Sequence, residues 1–129
     1  MTTGPKSYGI CPWFPEHGVE LIHPDDLALF GKFRPAGKVF RVSTQDDWLQ
    51  LAYGDQAFRV RPELIRWVPP TKFDIGDHVL ALQHGDMAQA VVDGIEWHHK
   101  LNRPMYFLRF GDKRSSRRYM DDEIREVQA

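Results

Sequence analysis

Cysteine is almost missing from this chain: among 129 residues there is one, Cys11. A lone thiol cannot close an internal disulfide, build a zinc knuckle or form a CxxC redox pair, and a reducing compartment is its simplest setting. Excess charge of either sign is missing too. Seventeen Lys and Arg against 18 Asp and Glu leave a formal charge of -1, which argues against whole-surface attraction to nucleic acid or anionic membrane but leaves room for a local patch. No apolar run approaches the roughly 18 residues of a membrane span. The opening "MTTGPKSYGICPWFPEHG" has no basic stretch followed by an apolar one, so no secretory leader is read and a cytoplasmic location is expected.

What is present is enough to fold. Hydrophobic residues make up 42% of the chain and aromatics 12%, sufficient for a core and inconsistent with wholesale disorder. The length fits one ordinary domain or two small ones.

The second possibility is favoured by an internal repeat. "VELIHPD" (Val19 to Asp25) matches "LALQHGD" (Leu80 to Asp86). "KVFRV" (Lys38 to Val42) parallels "AVVDG" (Ala90 to Gly94) more loosely, and "WLQLAYGD" (Trp48 to Asp55) matches "MYFLRFGD" (Met105 to Asp112). The tails end in "ELIRWV" and "DEIREV". Length differences fall in turn-rich stretches, "DLALFGKFRPAG" in copy one and "WHHKLNRP" in copy two, as expected where insertions are tolerated. "PPTKFDIGD" then reads as the linker.

Within each copy the hydrophobic period is two, the signature of strands. Leu49, Leu51 and Tyr53, and likewise Tyr106, Leu108 and Phe110, form the inward set. "YGDQ" and "FGDK" read as hairpin turns because Gly and Asp tolerate positive φ. "RPEL" and "MDDEI" each allow one helical turn before a short last strand, giving five strands per copy. The expected layout is an extended N-terminal strap over residues 1–18 and two five-stranded units over 19–69 and 72–129, an all-β protein. In the strap, Pro12 and Pro15 exclude a regular helix, and Trp13 and Phe14 are expected to pack on the first unit.

Five short strands with a one-turn helix before the last resemble the small SH3-like barrel, most closely its Tudor-like branch. The resemblance is carried by "GDHVLALQHGDMAQAVVDGIEW" and "FLRFGDKRSSRRYMDDEI" across residues 76–127, and less closely by residues 19–68. The paired arrangement is also similar to that of short, uncharacterised bacterial proteins. The resemblance implies two tandem barrels and a binding role. Tudor domains often hold methylated cations in an aromatic cage. Phe110 and Phe107 fall at or near cage positions, but Gln83, Ala88 and Gln89 stand where further rings are needed, so cage binding is not the expectation.

Paired aromatic and arginine surfaces remain. Trp48 with Arg59 and Arg61 in copy one, and Phe107 with Arg109 and Arg118 in copy two, are expected to face outward, a pairing common to protein hot spots and stacked nucleotides. The competing expectation is that Trp48 and Phe107 are covered between the barrels. "KRSSRR", read as a hairpin tip, concentrates Lys113, Arg114, Arg117 and Arg118, which either grip phosphate or are neutralised by Asp121, Asp122 and Glu123. "WHHK" adds Trp97 and His98 as candidates. His23 with Asp25, and His84 with Asp86, share a spacing that fits turn-closing histidines better than a metal site. Cys11 with His17 is the one nucleophile-like pair, and a packed Cys is the simpler reading.

Together these features point to a non-enzymatic adaptor without cofactor or metal, binding another protein. The alternative is nucleic-acid binding through the basic hairpin 113–118, and the remote alternative is a metal-dependent or cysteine-based enzyme. No membrane partner is expected.

Overall fold

The structure, a computed structural model, describes residues 7–127. It is nearly all-β and divides after Pro70 into two compact units. The first contains β1 (Ser7–Ile10), α1 (Leu27–Phe33), β2 (Val39–Gln45), β3 (Trp48–Tyr53), β4 (Gln56–Val60) and β5 (Arg66–Val68). The second contains β6 (His78–Gln83), β7 (Asp86–His98), β8 (Arg103–Phe110), β9 (Lys113–Tyr119) and β10 (Ile124–Glu126). No helix among the described residues is long and apolar enough to cross a membrane.

The repeat is visible in the strand order. Each unit is one five-stranded antiparallel sheet, β5-β1-β2-β3-β4 in the first and β10-β6-β7-β8-β9 in the second. A 3-10 turn precedes the last strand in both, Pro62–Leu64 and Asp121–Glu123. Register aligns the copies residue by residue. Leu51 sits across from Val42 and Leu108 from Val92, and Tyr53 and Phe110 each precede a Gly-Asp turn. Gly54 and Gly111 hold φ of 64° and 59° there, the left-handed region that glycine enters without a Cβ clash.

Two expectations are corrected. The sheets are not closed barrels: the three-residue strands β5 and β10 ladder only with β1 and β6, and no ladder joins either to the far edge. The first strand of copy one is also not "VELIHPD". Val19–Leu21 is a 3-10 turn, and the strand equivalent to β6 is Ser7–Ile10, inside the segment read as a strap. Residues 1–6 of that strap, and 128–129 at the other end, lie outside the described residues. Gly9 permits this strand, because a Cβ there would meet Ile65 Cγ2 at 2.7 Å. Trp13 is buried as expected and donates its indole N–H to Gly18 O at 3.0 Å. Phe14 is 48% exposed and does not pack as expected.

Between β1 and β2 the first unit carries residues 11–38, where the second has only the turn His84-Gly85, with φ of 51° and 89°. This insertion builds α1. Leu27, Phe30 and Phe33 recur every three residues on one face and turn inward, as an amphipathic helix requires. Arg34 at φ 57° ends the helix just before Pro35, which cannot continue it. Phe30 stacks near Trp13 and Phe58, with centroids at 5.5 and 4.9 Å, and Phe33 lies 5.3 Å from Tyr53 and 5.0 Å from Phe58.

The insertion also satisfies the edge of β4. Ile22 bridges Val60, His23 N–H donates to Arg59 O at 3.0 Å, and Arg61 N–H donates to Leu21 O at 2.8 Å. Asp26, although at the N-terminus of α1, does not cap its own helix. Its carboxylate accepts instead from the Arg59 backbone N–H at 2.8 Å, from Nε at 2.9 Å and from a terminal guanidinium nitrogen at 3.1 Å. The Arg59 guanidinium therefore holds the Asp26 carboxyl below the usual carboxylate range. Among the described residues nothing pairs with the equivalent outer edge of β9.

Two outcomes follow. Leu51→Ala and Leu108→Ala, which empty equivalent and fully buried positions, each cost about 2–5 kcal/mol in chemical denaturation; a negligible cost at either would show that the aligned positions are not equivalent core. Asp26→Asn lowers the melting temperature at pH 7. Because the folded carboxyl pKa is depressed, its contribution is complete above the ordinary aspartate value of about 4 and is lost as pH falls through the depressed one. The gap between wild type and variant is thus widest at neutral pH and narrows in acid. A gap independent of pH would exclude the charged pair as its origin.

Candidate functional site

The first unit uses its predicted site residues internally. Arg59 is bound to Asp26 and is a structural residue of the first unit, not a free ligand contact. Trp48 is half-buried beneath the Arg61 guanidinium, 3.9 Å from its ring centre, with the His23 ring at 4.9 Å. His23 Nδ1 accepts the Asp25 N–H at 3.1 Å and so closes a turn.

"WHHK" is divided between the core and a turn. Trp97 is 7% exposed, paired across the ladder with Pro104, and belongs to the core. His98 Nδ1 accepts the Leu101 N–H at 3.0 Å, which commits it to the turn.

The second unit gathers its predicted residues around β8 and β9. Phe107 and Arg109 point outward because Leu108 and Tyr106 between and beside them fill the core. Phe107 lies across from Arg118, and Arg109 across from Arg114. The half-buried Phe107 ring meets the Arg114 guanidinium at 4.4 Å and that of Arg118 at 5.5 Å, distances at which a cation is attracted to a ring face. Asp93 joins them at a bulge between Val92 and Gly94, where an irregular register re-aims a side chain. One of its carboxylate oxygens meets both Arg109 at 3.2 Å and Arg114 at 3.1 Å. Sequence reasoning passed over Asp93; its signal was the "DG" that interrupts an apolar alternation. Asp26 was passed over as well, though "PDD" just ahead of Leu27, Phe30 and Phe33 has the pattern of a helix start.

The basic run is a strand, not a hairpin tip; the turn is Gly111 and Asp112. The five residues from Arg114 to Arg118 oppose only the three from Phe107 to Arg109, so β9 bulges around Ser115, whose hydroxyl exchanges hydrogen bonds with the Arg117 backbone. The bulge separates the cations. Arg114 and Arg118 take the outer face, while Lys113, across from Phe110, and Arg117, over the Tyr119 ring at 4.3 Å, take the other. Arg117 pairs with Glu123, the neutralisation foreseen from the acidic turn. Lys113 has no charged partner among the described residues. On this second side a shallow groove of ≈ 340 Å³ is lined by Leu82, His84, Phe110, Lys113, Arg117 and Tyr119, among others. Tyr119 spans its floor, donating its hydroxyl to Leu82 O at 3.0 Å.

Phe107 and Phe110 therefore lie on opposite faces of β8 and cannot share one aromatic cage. Among the described residues no three His, Cys, Asp or Glu side chains are grouped to hold a metal. Cys11 is fully buried, and burial pushes its thiol up to about 12, so it stays protonated and unreactive at neutral pH. Burial first, and the neighbouring Asp121 second, hold the Tyr106 hydroxyl above the usual phenol range.

Comparison with curated proteins and with solved structures finds no match. Over residues 1–125 the chain matches a family described as "Family of unknown function (DUF6960)", and it belongs to that family.

Proposed function

We propose that this chain is a non-enzymatic adaptor, acting in the cytoplasm, that binds another protein through the β8–β9 side of its second unit. One observation carries this: Arg118 occupies the register position of Arg59, yet it has no carboxylate partner among the described residues, and the strand that bears it has an open outer edge. On the same face lie the half-buried Phe107 ring and two further cations, Arg109 and Arg114, the ingredients of a protein hot spot. We read the two sheets as tandem SH3-like folds of the Tudor-like branch. Their common strand order and the 3-10 turn before the last strand support that finer assignment.

Nucleic-acid binding through Lys113, Arg114, Arg117 and Arg118 is the second reading, favoured by the uncommitted Lys113 and Arg118. It makes a different demand on salt. Phosphate contacts release counterions, so affinity for an oligonucleotide falls steeply between 50 and 200 mM salt.

The test uses two variants of equivalent arginines. Arg118→Ala weakens partner capture, followed by crosslinking in extracts of the source cells, by about 1–3 kcal/mol while the melting temperature stays nearly constant. Arg59→Ala lowers the melting temperature and leaves capture by the folded protein intact. A drop of several degrees in Arg118→Ala would remove the binding surface. Salt-sensitive retention of single-stranded RNA or DNA that is lost in Arg118→Ala would transfer the site to the second reading.

A further inference from the structure

The first unit contains a worked example of how a segment docks on such a sheet. Residues 21–23 lie along the outer edge of β4, Asp26 then clasps the Arg59 backbone and guanidinium, and α1 carries Phe30 and Phe33 over Phe58 and Tyr53. Three of the anchoring positions have a counterpart in the second unit, while Phe58 has none, because Leu108, the equivalent of its partner Leu51, faces the β9 bulge. Tyr119 stands for Val60, Arg118 for Arg59 and Phe110 for Tyr53. No residues equivalent to 11–38 exist there to fill them, because β6 and β7 are joined by His84 and Gly85 alone.

We infer that the second unit binds an acidic peptide segment of a partner protein in the way the first unit binds its own residues 21–33. This rests on the binding-module reading above and names the class of partner. The segment pairs briefly with the edge of β9, presents a carboxylate to Arg118, and then turns helically to lay an aromatic side chain into the groove beside Phe110.

Charge distinguishes the external ligand from the internal one. Gln56 and Ala57, which follow the turn in the first unit, correspond to Lys113 and Arg114 in the second. His84 and Arg117 add to the same rim. A segment with further carboxylates on its helical turn is therefore preferred over the internal sequence, whose helix ends in Lys32, Phe33 and Arg34. Leu82, 47% exposed, gives the groove an apolar wall, and Met87, 44% exposed, faces it across the β6–β7 hairpin. Strand addition supplies main-chain affinity, and the carboxylate and ring supply selectivity.

The probe is a labelled synthetic peptide with the sequence of residues 19–34 in which Lys32→Glu and Arg34→Glu are made, titrated into the full-length protein. Expected is saturable binding, with amide NMR shifts concentrated in β9, Phe110 and the β6–β7 hairpin. Arg118→Ala in the protein, or Asp26→Ala in the peptide, weakens it about tenfold or more, the loss of one charge-assisted clasp. A scrambled peptide of the same composition does not compete. The inference is overturned if the peptide fails to bind, if shifts map to β4 and the first unit, or if the scrambled peptide binds equally well. If peptide binding fails while Arg118→Ala still abolishes partner capture, the adaptor reading stands and this docking mode falls. Concentration-dependent self-association that Arg118→Ala removes would assign the surface to a second copy of the chain and overturn it as well.

Discussion

A β-strand at the end of a sheet leaves half of its backbone donors and acceptors without protein partners, and this constraint organises the molecule. β4 and β9 are the same strand of the same fold, and they meet the constraint differently. On β4, residues 21–26 cover the edge: two backbone hydrogen bonds and a three-fold clasp by one carboxylate leave it no longer available for pairing. On β9, two extra residues form a bulge, and charged side chains line the strand. Bulges and cations discourage indiscriminate edge-to-edge pairing, so β9 is guarded against aggregation although nothing among the described residues covers its edge.

The difference propagates into the cores. In the first unit the insertion contributes Cys11, Trp13, Ile22 and Phe30 to the buried cluster, with Leu27 and Phe33 packed against it. The second unit has to close its core without them. It does so with small residues, Ala81 and Ala90, where strands approach, and with Tyr119 reaching across to β6. A hydroxyl–carbonyl bond thus stands where the first unit has a bridging segment. Tyr119 and Leu82, the partners of that bond, both line the groove beside Phe110.

Much of this was legible in the sequence, and what was not is instructive. The alternation in "WLQLAY" and "MYFLRF" and the repeated Gly-Asp turn are local signals, and they located β3 and β8 with their faces and the turns that lead into β4 and β9. The matching "HPD" and "HGD" were misleading, because one precedes a helix and the other sits in a two-residue turn; similar spelling served unrelated backbone needs. "SYGI" has four residues and a glycine, too little for strand periodicity to register, although its pairing completes the first sheet. Trp97 and Arg59 were taken for surface groups because burial and a partner 33 residues away are tertiary facts. The division of "KRSSRR" between two faces could not be read either, since a bulge shifts the period of two on which such a reading depends.

The bulge also weighs between the two kinds of ligand. Five cations, Arg109, Lys113, Arg114, Arg117 and Arg118, face two carboxylates, Asp93 and Glu123. About three charges therefore remain for a polyanion, a salt exponent of roughly three on the counterion-release relation, and they are split between opposite faces of one strand. A nucleic acid draws its affinity from an array of cations along one continuous path, and a strand that sends Arg114 and Arg118 one way and Lys113 the other breaks that path. A peptide laid along the strand edge meets both sets at once. In the docking mode inferred above, its short extended part would bring a carboxylate to Arg118 and the helical turn that follows would bring an aromatic ring to Phe110. The geometry that divides the basic cluster for a phosphate backbone unites it for a polypeptide.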